Sequence, residues 1–250
     1  MTAKKIIPCL DMMEGKVVKG IKFKGMKEIG DPPSFAAQYE KDGADEVAFL
    51  DISATVEGRQ TMLKAVAATA KAVKIPFVVG GGIRSKDEMK AVLDAGATKV
   101  SINSAAVSNP NVVKECAEAF GSKRLVIAID AKKDGDKWIV YTHGGQRPSG
   151  IDAIEWARKM EKLGAGEILL TSIDADGEKT GYDIPLTAAV ADAVRIPVTA
   201  SGGCGSLEHI YEVLTKTKAA AALAASIFHY KEYTVADVKK YLKERGVEVL

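Results

Sequence analysis

Two stretches of this chain recur at one fixed spacing. DGADEVAFLDISA, starting at Asp42, is echoed by LGAGEILLTSIDA from Leu163, and IPFVVGGGI from Ile75 is echoed by IPVTASGGC from Ile196. Both pairs share an offset of 121 residues, which points to two similar halves carrying the same succession of elements. Within each half, short apolar runs alternate with amphipathic stretches, the pattern of βαβ units and of a parallel sheet. The pattern predicts strands at Lys5–Asp11, Glu46–Asp51, Phe77–Val79, Lys99–Asn103, Leu125–Asp130, Glu167–Thr171, Val198–Ser201 and Ala221–Ala224. Helices are expected at Thr61–Val73, Lys86–Leu93, Asn111–Phe120, Ile151–Leu163, Leu207–Leu214 and Val235–Arg245, the last stopped by Gly246. Eight such units in 250 residues predict a single (β/α)8, or TIM, barrel domain spanning residues 1–250 and built of two half-barrels.

Composition narrows the function classes. With 47% hydrophobic residues and a net charge of +2, the chain has neither the polarity of a disordered segment nor the basic excess of a nucleic-acid binder. No stretch approaches the roughly 18 continuous apolar residues of a membrane span, and the N-terminus turns charged too soon for an export signal. Cys9, Cys116 and Cys204 are far apart and odd in number, so the expectation is a protein of a reducing cytoplasm without disulfides. His143, His209 and His229 share no ligand spacing, and no metal or other cofactor is expected.

Side-chain alternation then sorts each strand into inward and outward residues. If Asp11 points inward, so do Cys9, Ile7 and Lys5. The same parity places Asp11, Asn103, Asp130, Thr171 and Ser201 at the C-terminal mouth, and Lys5, Glu46, Lys99 and Glu167 at the opposite end. Asp11 and Asp130 close strands one and five, on opposite sides of an eight-stranded ring. A substrate across the mouth would meet a carboxyl group from either side, one as base and one as acid if their environments differ. The plainer alternative is that each aspartate caps a turn or neutralises a lysine. For the lower ring, too, two readings stand: a salt-bridged rim or a gate to a passage through the barrel. Two long segments, Gly15–Asp31 and Ala131–Pro148, follow the aspartate-ended strands and are expected as active-site loops.

Glycines supply a further signal. Gly80-Gly81-Gly82 follows the third strand, Gly202-Gly203 the seventh, and Asn103-Ser104 and Ala225-Ser226 follow the fourth and eighth. Glycine lets backbone N–H groups approach an anion closely. Doubled at the repeat, the motif suggests two phosphate cradles and an elongated bisphosphate substrate.

KIIPCLD, VVKG at Val17–Gly20, VGGGI, KVSINSAA, AIDAK, GAGEILLTSIDADG with GYD at Gly181–Asp183, ASGG and ALAASIFH together resemble the cyclase subunits of imidazole glycerol phosphate synthase, nearly end to end. The resemblance implies a lyase of histidine biosynthesis. In that family ammonia attacks a phosphoribulosyl formimino aminoimidazole carboxamide ribotide, giving imidazole glycerol phosphate and the aminoimidazole carboxamide ribotide. It implies that Asp11 and Asp130 are the catalytic pair and that Lys19 contacts substrate. It assigns Gly82, Asn103 and Ser104 to one phosphate site, and Gly177, Gly203, Ala225 and Ser226 to the other. Thr171, Asp176 and Ser201 match further substrate positions. It also implies a glutaminase partner docked at the bottom of the barrel, delivering ammonia past a gate of Lys5, Glu46, Lys99 and Glu167. Three places depart from the family's habit: Thr98 replaces an acidic residue that helps anchor the glutaminase, Lys123 a common glutamine, and Met12-Met13 more polar residues. Two other functions fit a barrel of this kind: the sister isomerase, which performs an Amadori rearrangement without ammonia, and a non-catalytic phosphate-binding barrel partnering a glutaminase.

Overall fold

A computed structural model describes residues 3–21, 24–52 and 56–250, and side chains within these ranges except at 19–26 and 56–61. Strand β1 (Lys5–Met13) runs into a hairpin of β2 (Lys16–Ile21) and β3 (Lys24–Gly30), followed by α1 (Pro32–Lys41). Then come β4 (Val47–Asp51), α2 (Val56–Ala72), β5 (Phe77–Gly80), α3 (Lys86–Asp94), β6 (Lys99–Ile102), a short α4 (Ser104–Ser108) and α5 (Asn111–Phe120). The second half holds β7 (Leu125–Asp134), the hairpin partners β8 (Lys137–Thr142) and β9 (Arg147–Asp152), α6 (Ala153–Lys162), β10 (Glu167–Ser172) and α7 (Ile184–Ala193). It ends with β11 (Val198–Ser201), α8 (Leu207–Lys216), β12 (Ala221–Ala224), a short α9 (Ser226–His229) and α10 (Val235–Glu244).

Strands β1, β4, β5, β6, β7, β10, β11 and β12 pair in parallel in that order, and β12 returns to β1 to close the barrel. The expected (β/α)8 barrel is therefore present. Closure removes the exposed edges that an open sheet would leave. Strand parity divides the apolar residues into two layers. Ile6, Leu10, Val47, Phe49, Leu125 and Ile127 face the helices in the main core. Ile7, Cys9, Ala48, Val78, Val126, Leu169, Ala221 and Leu223 form a separate cluster inside the barrel. Six helix starts carry their own signal: the side chains of Asp31, Ser85, Asp152, Asp183, Ser206 and Thr234 accept hydrogen bonds from first-turn N–H groups of α1, α3, α6, α7, α8 and α10.

Gly15–Asp31 and Ala131–Pro148, expected as loops, are largely strand. β2 and β3 form an antiparallel pair, and β7 runs past the barrel rim to pair with β8. The β-branched and aromatic residues of VVKGI and WIVYT favour extended backbone, and an antiparallel partner satisfies its N–H and C=O groups above the rim.

The repeat is carried into bonding. Glu40 Oε1 accepts from the N–H groups of Lys74 and Ile75 at 2.7 and 3.0 Å. Glu161 Oε1 does the same for Arg195 and Ile196, also at 2.7 and 3.0 Å. Gly81 and Gly202 also correspond: a Cβ on Gly81 would lie 2.0 Å from the Asp51 carbonyl oxygen, and one on Gly202 2.8 Å from that of Ser172. Gly81 further adopts φ +106°, where L side chains are strained. Gly81→Ala is expected to destabilise the chain by about 1–3 kcal/mol, measured as a lower urea midpoint. An unchanged midpoint would mean that the turn after β5 relaxes freely.

Candidate active site at the barrel mouth

The mouth is built where strands end and backbone carbonyls and N–H groups lose their ladder partners. Asp130, Thr171 and Ser201 lie side by side on adjacent strands, paired in register. Asp11 faces them from β1, where it pairs in register with Leu50. The structure thus brings these four residues to one end of the barrel, with both aspartates only partly exposed.

Asp130 has the most distinctive environment. Burial raises its pKa from the ordinary 3.8 to about 6; a hydrogen bond from Asn103 opposes the rise and the negative charge of Asp176 adds to it. Asn103 Nδ2 donates to Asp130 Oδ2 at 2.9 Å and to the Tyr141 carbonyl oxygen at 3.3 Å. The amide oxygen of Asn103 is buried with no protein donor among the described residues. A carboxyl group with a pKa near 6 can hold or release its proton close to neutral pH, as general acid or base work requires.

The two glycine turns sit at corresponding places. Gly81 and Gly82 have φ of 106 and 62°, and Gly202 and Gly203 have φ of 90 and 97°. Asn103 and Ala225, which open α4 and α9, share an uncommon backbone shape, with φ, ψ of −127, −84° and −123, −70°. Ser104 and Ser226 are the first residues of those helices. Gly177, with φ 78°, and Asp176 lie exposed in the segment after β10. Lys19 belongs to β2, where it pairs with Lys27; its side chain lies outside the described residues.

The opposite end holds a chain of charges. Lys99 Nζ bonds Glu46 Oε2 at 2.8 Å and Glu167 Oε2 at 2.7 Å, while Lys5 reaches Glu46 at 3.5 Å. Thr199 Oγ1 donates to Glu167 Oε1 at 2.7 Å. Glu46 is 1% exposed and Lys99 13%, against 37% for Lys5. Lysine and glutamate therefore alternate along the chain of contacts Lys5–Glu46–Lys99–Glu167, with Lys5 its most exposed and most loosely held member. Burial would lower the Lys99 pKa, but the charges of Glu167 and Glu46 outweigh it and hold the ammonium above its ordinary value. Nearby, Thr98 Oγ1 accepts from the Phe77 N–H at 3.2 Å.

Some of the site was not foreseen from the sequence. The β8–β9 hairpin reaches the start of α4: the His143 N–H donates to Ser104 Oγ at 3.0 Å. Asp174 Oδ2 accepts from the Lys133 N–H at 2.8 Å, tying the extension of β7 to the segment after β10. The local signal was THGG, in which His143, Gly144 and Gly145 all take positive φ. Among the described residues no cluster of three or more His, Cys, Asp or Glu could hold a metal ion, and no helix is long and apolar enough to cross a membrane.

Comparison with known proteins bears on this arrangement. The chain is 57% identical, over its whole length and 99% of the other protein, to "Imidazole glycerol phosphate synthase subunit HisF" of Clostridium botulinum (strain Okra / Type B1). The family model described as "Histidine biosynthesis protein" matches residues 5–234, from the first strand of the barrel to the threshold of the last helix. On both counts, the chain belongs to the histidine biosynthesis protein family.

Proposed function

We propose that this chain is the cyclase subunit of an imidazole glycerol phosphate synthase, a lyase that uses ammonia. The observation that carries the reading is the pair of mouth carboxyl groups on opposite strands, one of them in surroundings that keep its pKa near 6. The substrate in this reading is the one that the sequence motifs imply: phosphoribulosyl formimino aminoimidazole carboxamide ribotide, converted to imidazole glycerol phosphate and aminoimidazole carboxamide ribotide.

The chemistry follows from the positions. When neutral ammonia adds to a carbon electrophile, the new N–H must lose a proton and a departing heteroatom must gain one. Asp11 and Asp130 serve these transfers from the two sides of the mouth. Asn103 orients the Asp130 carboxyl group, and Thr171, Ser201, Asp176 and Lys19 hold the substrate between them. Gly82, Asn103 and Ser104 receive one phosphate, and Gly177, Gly203, Ala225 and Ser226 the other. Backbone N–H groups at such turns suit an anion.

Ammonia would enter from the bottom, delivered by a glutaminase subunit seated there. Between the charged end and the mouth lies the apolar cluster of Ile7, Cys9, Ala48, Val78, Val126 and Leu169. Such a lining favours a small neutral molecule over an ion, because an unpaired charge pays a heavy desolvation cost there. Lys5, Glu46, Lys99 and Glu167 would form the gate below it.

The test is consumption of the ribotide by the purified chain, with and without ammonium salt and with no partner present. Ammonium-dependent formation of imidazole glycerol phosphate is expected. Equal turnover without any nitrogen source would assign the isomerase instead, and tight binding without turnover a non-catalytic barrel.

A further inference from the structure

The tripeptide Gly181-Tyr182-Asp183 has no part in the acid–base pair, the glycine turns or the charged end. Its three residues nevertheless reach three neighbouring barrel strands around the second glycine turn. The Gly181 N–H donates to the Gly203 carbonyl oxygen at 2.9 Å. The two backbones touch so closely that a Cβ on Gly203 would lie 2.0 Å from the Gly181 carbonyl oxygen. The Tyr182 hydroxyl, buried, donates to the Leu223 carbonyl oxygen at 2.9 Å, two residues before Ala225. Burial lifts that hydroxyl well above its ordinary pKa, so it stays a donor throughout the working pH range. Asp183 Oδ2 accepts from Ser172 Oγ at 3.1 Å, at the end of β10. Its other oxygen caps α7 through the Leu186 N–H at 2.9 Å. One short motif therefore ties together the end of β10, the turn after β11 and β12.

The first half differs in sequence at the corresponding positions. Residues 121 earlier are Gln60, Thr61 and Met62, neither a tyrosine nor a carboxylate among them. Among the described residues, the turn region there is braced by the hairpin, through His143 to Ser104 and Asn103 to Tyr141. Among the described residues, two turns of similar backbone shape are thus held by different contacts. An anion cradle of backbone N–H groups has no side chains of its own to lock it, so its grip depends on what the neighbouring segments impose.

We propose that Gly181-Tyr182-Asp183 is the positioning frame of the second cradle, setting the affinity of that end of the mouth, and not the other, for the phosphate of an asymmetric bisphosphate. Tyr182 is a positioning residue acting through Leu223 on Ala225 and Ser226. The inference rests on the reading of Gly203, Ala225 and Ser226 as a phosphate site, and the experiment separates the two.

Inorganic phosphate is titrated into the full-length chain while the backbone amides of Gly82, Ser104, Gly203 and Ser226 are followed by 15N NMR, in the wild type and in Tyr182→Phe. Both cradles are expected to titrate in the wild type. In Tyr182→Phe the affinity reported by Gly203 and Ser226 should fall roughly three- to tenfold, the scale of one lost hydrogen bond, while Gly82 and Ser104 titrate as before. KM for the ribotide should rise by a similar factor and more than kcat falls. Ser172→Ala, which releases Asp183 without touching Tyr182, should act in the same direction. Equal weakening at both cradles, or none at either, overturns the frame while leaving the cradles standing. Wild-type Gly203 and Ser226 amides that ignore phosphate remove the cradle itself, and the frame with it.

Discussion

Asp130→Asn is expected to cut ammonium-dependent turnover by roughly a thousandfold, within the range of a lost general acid or base, and at the same time to raise the melting temperature at pH 7.5. The two effects share one cause. Burial and the nearby charge of Asp176 make the ionised carboxylate unfavourable, and the Asn103 hydrogen bond only partly compensates. The pKa of about 6 in the fold stands above the ordinary 3.8, so the folded state binds the proton more tightly than the unfolded chain. Between these two values the folded state carries more protons, and stability falls as pH rises through that window. Above it the cost is constant, about 2–3 kcal/mol as an upper bound. Asparagine keeps an oxygen for the Asn103 donor and carries no charge to desolvate. The gain should therefore be about 4–8 °C in a chain of this size, seen at pH 7.5 and absent near pH 4. Asp11→Asn should lose turnover comparably. Wild-type rates in both variants would rule out the acid–base pair. A melting temperature unchanged at pH 7.5 would mean that Asp130 is better solvated than its position implies.

The second large effect is expected at the other end. Lys99→Met should destabilise the chain by about 3–5 kcal/mol, the usual result of removing one partner from a buried ion pair. Glu46, almost wholly buried, and Glu167 would then face each other without the ammonium that both contact at 2.8 and 2.7 Å. Because the Lys99 pKa is raised, the stabilisation is present at any pH below its ordinary value of 10.5 and fades only as pH climbs past the folded value. A triple variant, Lys99→Met with Glu46→Gln and Glu167→Gln, removes the charges together and should recover most of the loss. Chemical denaturation of the single and triple variants reads both outcomes. A Lys99→Met variant as stable as wild type would mean that the charges are solvated and the lower end is an ordinary exposed rim. The contrast with Lys5 matters: at 3.5 Å and 37% exposed, its loss should cost no more than about 1 kcal/mol.

The barrel was legible because its determinants are local and repeated. Strand parity separated Ile6 and Leu10 from Ile7 and Cys9 before any fold was known, and the structure divides them the same way. The offset of 121 residues likewise predicted two halves, and Glu40 and Glu161 make matching bonds at that offset. The hairpins were less legible. Glycine and lysine in Gly15–Asp31 read as loop, and only pairing across β2 and β3 shows otherwise.

The chain's own order of residues determined the fold class, the face each strand turns inward and the gathering of Asp11 and Asp130 at one end, since all three follow from periods of two and of 121 residues. Tertiary structure alone decided how each group behaves there. The proton affinity of Asp130 depends on burial and on Asn103 and Asp176, 27 residues before it in the first case. Lys99 meets partners 53 and 68 residues away, and Tyr182 finds its acceptor 41 residues on. Desolvation and hydrogen bonding act over a few ångströms of space, and no spacing along a chain reports which distant residues will fill them.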